Sequence, residues 1–225
     1  MTHLTLLDQA VFVLAAVVLF TCFALLTQAR LVATLRTFAW QGGLVAAVTA
    51  LMAAAHREPH LYVTAALTLV LKAGVIPWML HRWVRRLGLD RHVESLASPP
   101  AVTLAGVGLV IFCYWVVLPI ERMELAATRN VIAVSLAVVV LGLLMMVTRR
   151  QAVSQVVGFM AMENGLFLAA VTAISGMPLV VELGVAFDIL VAAVLFGVFF
   201  LQIRDAIDSL DVDRLNRLAE GMEQE

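Results

Sequence analysis

The sequence predicts an all-α integral membrane protein with about seven transmembrane helices, the N-terminus outside and the C-terminus cytoplasmic. Three observations carry that reading: the composition, the recurrence of apolar runs of spanning length, and the alternation of arginine between the loops. Apolar residues make up 63% of the 225, charged residues only 14%, and mean hydropathy is +1.00. Soluble domains lie near 45–50% apolar and about 25% charged. The composition excludes a water-soluble enzyme, a nucleic-acid-binding domain and a disordered tail. Fifteen basic and sixteen acidic residues leave a net charge of −1, which predicts no polybasic surface for DNA, RNA or anionic lipid.

A bilayer core about 30 Å thick needs about 20 mostly apolar residues per helix. Seven stretches meet this, at residues 4–26, 38–55, 61–80, 101–118, 131–147, 152–174 and 179–203. The first has no basic segment ahead of it (Asp8 is its early charge) and is longer than a signal-peptide core, so it is expected to stay as an anchor. Arg36, just ahead of the second run, can snorkel to the interface, and Trp40 reads as a packing residue. Trp78 and Trp83 suit an inner aromatic belt, and Tyr62, Tyr114 and Trp115 an outer one. Residues 82–100 read as a short amphipathic cytoplasmic segment ended by Pro99 and Pro100. In the tail, Leu210, Leu215 and Leu218 share a face between a candidate N-cap, Asp211, and a candidate C-cap, Gly221. That tail is either a solvated stub or a docking element for a cytoplasmic partner.

Orientation follows from arginine. The loops after the first, third and fifth runs and the tail hold Arg30, Arg36, Arg82, Arg85, Arg86, Arg91, Arg149, Arg150, Arg204, Arg214 and Arg217. The other loops hold only Arg57, Arg122 and Arg129. The positive-inside rule then puts the C-terminus in the cytoplasm.

Cys22 and Cys113 lie inside apolar runs and read as small hydrophobes. The chain has no CxxC pair, Cys/His cluster, Gly-rich phosphate loop or GxSxG, so iron–sulfur, zinc, nucleotide and serine-hydrolase chemistry have no foothold, and no metal site is predicted.

The informative residues are the charges inside the runs. An ionisable side chain at the bilayer centre costs roughly 2.5–3.5 kcal/mol on insertion scales, so its presence asks for a reason. Lys72 is the twelfth residue of its run and Glu163 the twelfth of its own, both at mid-depth. Asp188 is three residues from the centre of the last run, about 4.5 Å at helical rise. Glu182 is nine residues out and can snorkel. Gly184 and Ala192, one turn either side of Asp188, allow a neighbouring helix to approach closely there. Pro77, five residues after the lysine in LVLKAGVIPWMLHRW, predicts a helix break beside it, where freed carbonyls can hold water or ions. Lys72, Glu163, Asp188 and Glu182 are therefore the candidate proton-relay residues, with Pro77 as the helix break. The bland alternative is that the acids are hydrogen-bonding glue and the lysine their ion-pair partner.

The last three runs resemble the small K-type subunit of respiratory complex I and of multisubunit antiporters. The likeness rests on TRRQAVSQVVGFMAMENGLFLAAV, ELGVAFDILVAAVLFGVFFLQI and IDSLDVDRLNRL. With the Arg-Arg pairs aligned, the K-type glutamate falls near Met160, one turn before Glu163. With the LQI ends aligned, the second acid falls near Ala192, one turn after Asp188. Nearly the whole chain resembles the seven-span hydrogenase-4 component E family, through MENGLFL, ELGVAFD and LKAGVIPW. On that basis the chain divides into residues 1–129, a four-helix membrane region; 130–204, a three-helix K-type-like region; and 205–225, a cytoplasmic amphipathic tail.

The resemblance implies a non-catalytic membrane-arm subunit of a group 4 [NiFe]-hydrogenase or related complex-I-like assembly in a bacterial or archaeal inner membrane. Its acids and lysine are then expected to serve proton translocation coupled to electron transfer in other subunits. Cofactors in this chain are expected to be none, with nickel–iron and iron–sulfur centres in its partners. Those partners are antiporter-like and quinone-module-type membrane subunits and hydrophilic redox subunits. The alternatives are a scaffold without an ion path of its own and a subunit of a cation/proton antiporter complex.

Overall fold

In a computed structural model of the chain, described over residues 6–56, 59–86, 98–118, 126–172, 184–194 and 197, every regular element is helical. The helices are α1 Leu6–Thr27, α2 Leu31–His56, α3 Pro59–Thr68, a π-helical stretch Leu69–Val75, α4 Ile76–Arg86, α5 Pro99–Val117, α6 Ala126–Thr148, α7 Ala152–Thr172 and α8 Gly184–Val194. Six of the resulting rods are long and apolar enough to cross a membrane, with α3, the π stretch and α4 acting together as the third. The predicted seventh span is described only through α8 and residue 197; Glu182 and the tail 205–225 lie outside the described residues.

Two sequence expectations change. The second helix starts at Leu31, well ahead of the apolar run, so Arg36 belongs to a membrane helix and not to a loop. Thr34, Arg36 and Thr37 dilute the hydropathy of those turns without opposing helix, since Arg is a good helix former. Trp40, read as packing, is 70% exposed and points out of the bundle.

The core is a ring of α1, α2, α7 and α6. Here α6 lies against α7 and α1, α2 against α1 and α7, with α5 outside α1 and α6 and the third rod outside α2. Helix α7 is the most enclosed of the six, α5 the least. Outward-facing Phe20, Trp40, Leu104, Ile111 and Trp115 are large and exposed, the surface expected of helices whose solvent is lipid. Arg149, between α6 and α7, is buried, and its guanidinium donates to the carbonyls of Leu25, Leu26 and Gln28. It thereby caps the C-terminal end of α1, where unpaired carbonyls attract a cation. One of the arginines counted towards the expected orientation therefore makes a structural contact.

Candidate functional site

Pro77 sits in the first turn of α4 and cannot donate to a preceding carbonyl. Upstream of it the helix widens over Leu69–Val75, with the Ile76 N–H bonding to the Leu71 carbonyl, a five-residue spacing. The predicted break is thus a widened turn carrying Lys72 at its middle. Lys72 is fully buried. It reaches the core because residue 42 on α2 is glycine: a Cβ there would lie 2.8 Å from the Lys72 Cβ and 3.0 Å from its carbonyl carbon. Any side chain at 42 would force the third rod away from α2.

The ammonium ends between three partners. It donates to the Glu163 carboxylate and to the Asn164 Oδ1 at 2.8 Å, both from α7, and lies 3.5 Å from the Asp188 Oδ2 on α8. The Phe167 ring, one turn along α7, closes over it at 5.1 Å to the ring centre. Gly184 lets α8 close in, since a Cβ there would lie 3.1 Å from the Glu163 Oε1. The rings of Phe159 and Phe187, 5.2 Å apart, tie the same two helices together.

Three of the four candidate relay residues therefore meet at one point, with the lysine in contact with both acids, whereas the sequence offered ion pairing only as one of two alternatives. The register matters: Met160 and Ala192, where K-type alignment would put the acids, are buried apolar positions, while Glu163 and Asp188 face the lysine.

Two participants were missed. Asn164 also donates through its Nδ2 to the Gln41 Oε1 at 3.3 Å, and the Gln41 Nε2 donates to the Cys22 Sγ at 2.9 Å. Gln41 and Asn164 are fully buried and Cys22 nearly so, so a polar thread runs from the lysine through α7 and α2 to α1. The signal was present for Asn164, at mid-depth of its run, since a buried amide needs partners nearly as much as a charge does; Gln41 stands only four residues into its run and comes to mid-helix because α2 starts at Leu31. Cys22 keeps its reading as a buried thiol, with the addition that it accepts this bond.

The chemistry open to this arrangement is proton exchange. The Glu163 Oε1 and both Asp188 carboxylate oxygens are buried without a hydrogen-bond donor among the described residues, so acceptor capacity remains around the ammonium. No group of three or more His, Cys, Asp or Glu side chains among the described residues could hold a metal ion.

The chain is similar to curated proteins over most of its length. It is 33% identical over 187 residues to the uncharacterized protein Rv0085 of Mycobacterium tuberculosis, a match covering 83% of this chain and 85% of that protein. It is 25% identical over 181 residues to hydrogenase-4 component E of Escherichia coli K12, covering 80% of this chain and 84% of that one, and equally to the Shigella flexneri protein of that name. No family model and no solved structure matches it significantly.

Proposed function

The chain belongs to one family with the Mycobacterium tuberculosis protein Rv0085, and from that premise we propose that it is a non-catalytic membrane subunit of a hydrogenase-4-type complex, coupling electron transfer elsewhere to proton translocation. The likeness to hydrogenase-4 component E supports the assembly. The observation that carries the coupling role is the contact of one buried lysine with acids from two different helices.

Two acids and one amine, all ionised, would leave a net negative charge in an apolar interior, which is costly. Balance is reached when the three share one further proton, and that proton can sit on either acid while the ammonium reorients between them. Asn164 holds one N–H of the lysine and leaves the others to the acids. Electron transfer in partner subunits would bias which acid is occupied by moving charge or helices nearby. Nickel–iron and iron–sulfur centres belong to those partners in this reading, as do antiporter-like neighbours in the membrane.

The test of the assembly is isolation of the complex through a tag on this chain. Hydrogen-dependent reduction of an artificial acceptor and bound nickel should co-purify with it. A complex containing cation/proton antiporter subunits but no hydrogenase activity would replace this reading with the antiporter alternative.

A further inference from the structure

A second polar feature lies on the outer surface, apart from the lysine site. A cavity of about 310 Å³ opens between α2 and the π–α4 stretch, walled by Arg36, Leu35 and Ala39 on one side and Gly74, Trp78 and His81 on the other. Gly42 packs at the level of Lys72, near the middle of the span. Arg36 is six residues from it along α2, about 9 Å of helix rise, whereas half the hydrocarbon core is about 15 Å. An always-charged guanidinium thus starts inside the hydrocarbon layer on an outward-facing position. No acid among the described residues pairs with it, and no acid lines the cavity. His81 faces it across the opening, and the exposed Trp78 ring beside it is stacked by Arg82 at 5.7 Å.

We propose that this cavity binds the headgroup phosphate of an anionic phospholipid, held by Arg36 and His81, with Leu35, Ala39 and Trp78 receiving the glycerol and first acyl carbons. A phosphate supplies the counter-charge that Arg36 needs at this depth, and arginine can take it with two parallel hydrogen bonds. The choice of an anionic lipid over a zwitterionic one follows from the walls: no acid among the described residues stands ready for a choline or ethanolamine ammonium. The bundle end is the one that the arginine distribution assigns to the cytoplasm, the leaflet in which anionic headgroups draw basic residues. The near-zero net charge of the chain is no obstacle, because the recognition is local.

The test uses the full chain extracted from bilayers of phosphatidylglycerol and phosphatidylcholine, with retained lipid read by native mass spectrometry. Wild type should keep phosphatidylglycerol in preference to phosphatidylcholine. Arg36→Gln should lower retention about tenfold, the equivalent of about 1.4 kcal/mol, with Arg36→Lys intermediate. Gly74→Leu separates binding from folding: a Cβ at 74 meets nothing within 4 Å, so the new side chain extends into the cavity and should cut retention while Arg36 stays in place. Equal retention of the two lipids, wild-type retention in Arg36→Gln, or displacement by millimolar inorganic phosphate would overturn the proposal.

Discussion

Lys72 is the residue on which the interior depends. Its ammonium has three N–H donors; Glu163 and Asn164 take two, and Asp188 lies 3.5 Å off for the third. Removing the amine leaves two buried acids without a counter-charge, so Lys72→Met should destabilise the protein by about 3–5 kcal/mol, the usual cost of breaking a buried pair from one side. Adding Glu163→Gln should restore part of that loss, because one of the two orphaned acids is then gone and only Asp188 remains without the lysine. Thermal melts of wild type, both single variants and the double variant check this. A double variant no more stable than Lys72→Met alone would mean that packing of the lysine stem, not charge balance, sets the cost. At this scale the sequence was partly legible. Depth picked out Lys72, Glu163 and Asp188, since any charge at mid-span is conspicuous, and the three lie together in the structure. Their convergence was not legible, because it depends on which helices are neighbours, and a single sequence carries no such information. Gln41 and Asn164 went unread for a different reason: amides hardly disturb an apolar count, yet inside a bilayer they are almost as demanding.

Among the elements, the third rod and the α1 end make the sharpest claims. Pro77 predicted a break, and the break takes the form of a π stretch that holds Lys72 against Gly42. Composition cannot distinguish a kink from a widened turn, since both relieve the same clash between the proline ring and the preceding turn. Pro77→Ala restores a backbone donor and removes that clash, so the stretch should tighten towards α-helix. One residue of register is about 100° of rotation, enough to swing the ammonium away from α7. Assembly should survive and translocation should fall to a small fraction of wild type at matched abundance; wild-type translocation would show that the π stretch does not depend on the proline. Arg149 tests a separate joint. Arg149→Ala leaves the Leu25, Leu26 and Gln28 carbonyls without their donor and should cost about 1–3 kcal/mol in melting. An unchanged melt would show that water caps α1 equally well. The early start of α2 was illegible in hydropathy because its first turns mix threonine and arginine with leucine and valine.

For the whole molecule, the apolar surface, the six rods long enough to span and the enclosed α7 describe a chain built to sit among lipids, with Lys72, Glu163 and Asp188 gathered at one interior point. Composition alone made the helical membrane class legible, because 63% apolar residues leave too little polar surface to cover a soluble domain. The interior point is proposed to move protons and to do more than pack. Glu163→Gln decides it, because glutamine keeps the shape and hydrogen-bonding capacity of glutamate but has no proton to exchange. The measurement is acidification inside inverted membrane vesicles driven by the complex's own redox reaction, normalised to assembled complex and to electron turnover. Assembly and electron transfer to an artificial acceptor should stay intact, with acidification per electron largely lost. Full acidification by the assembled Glu163→Gln complex would contradict that role and leave the lysine and its acids as a structural clamp.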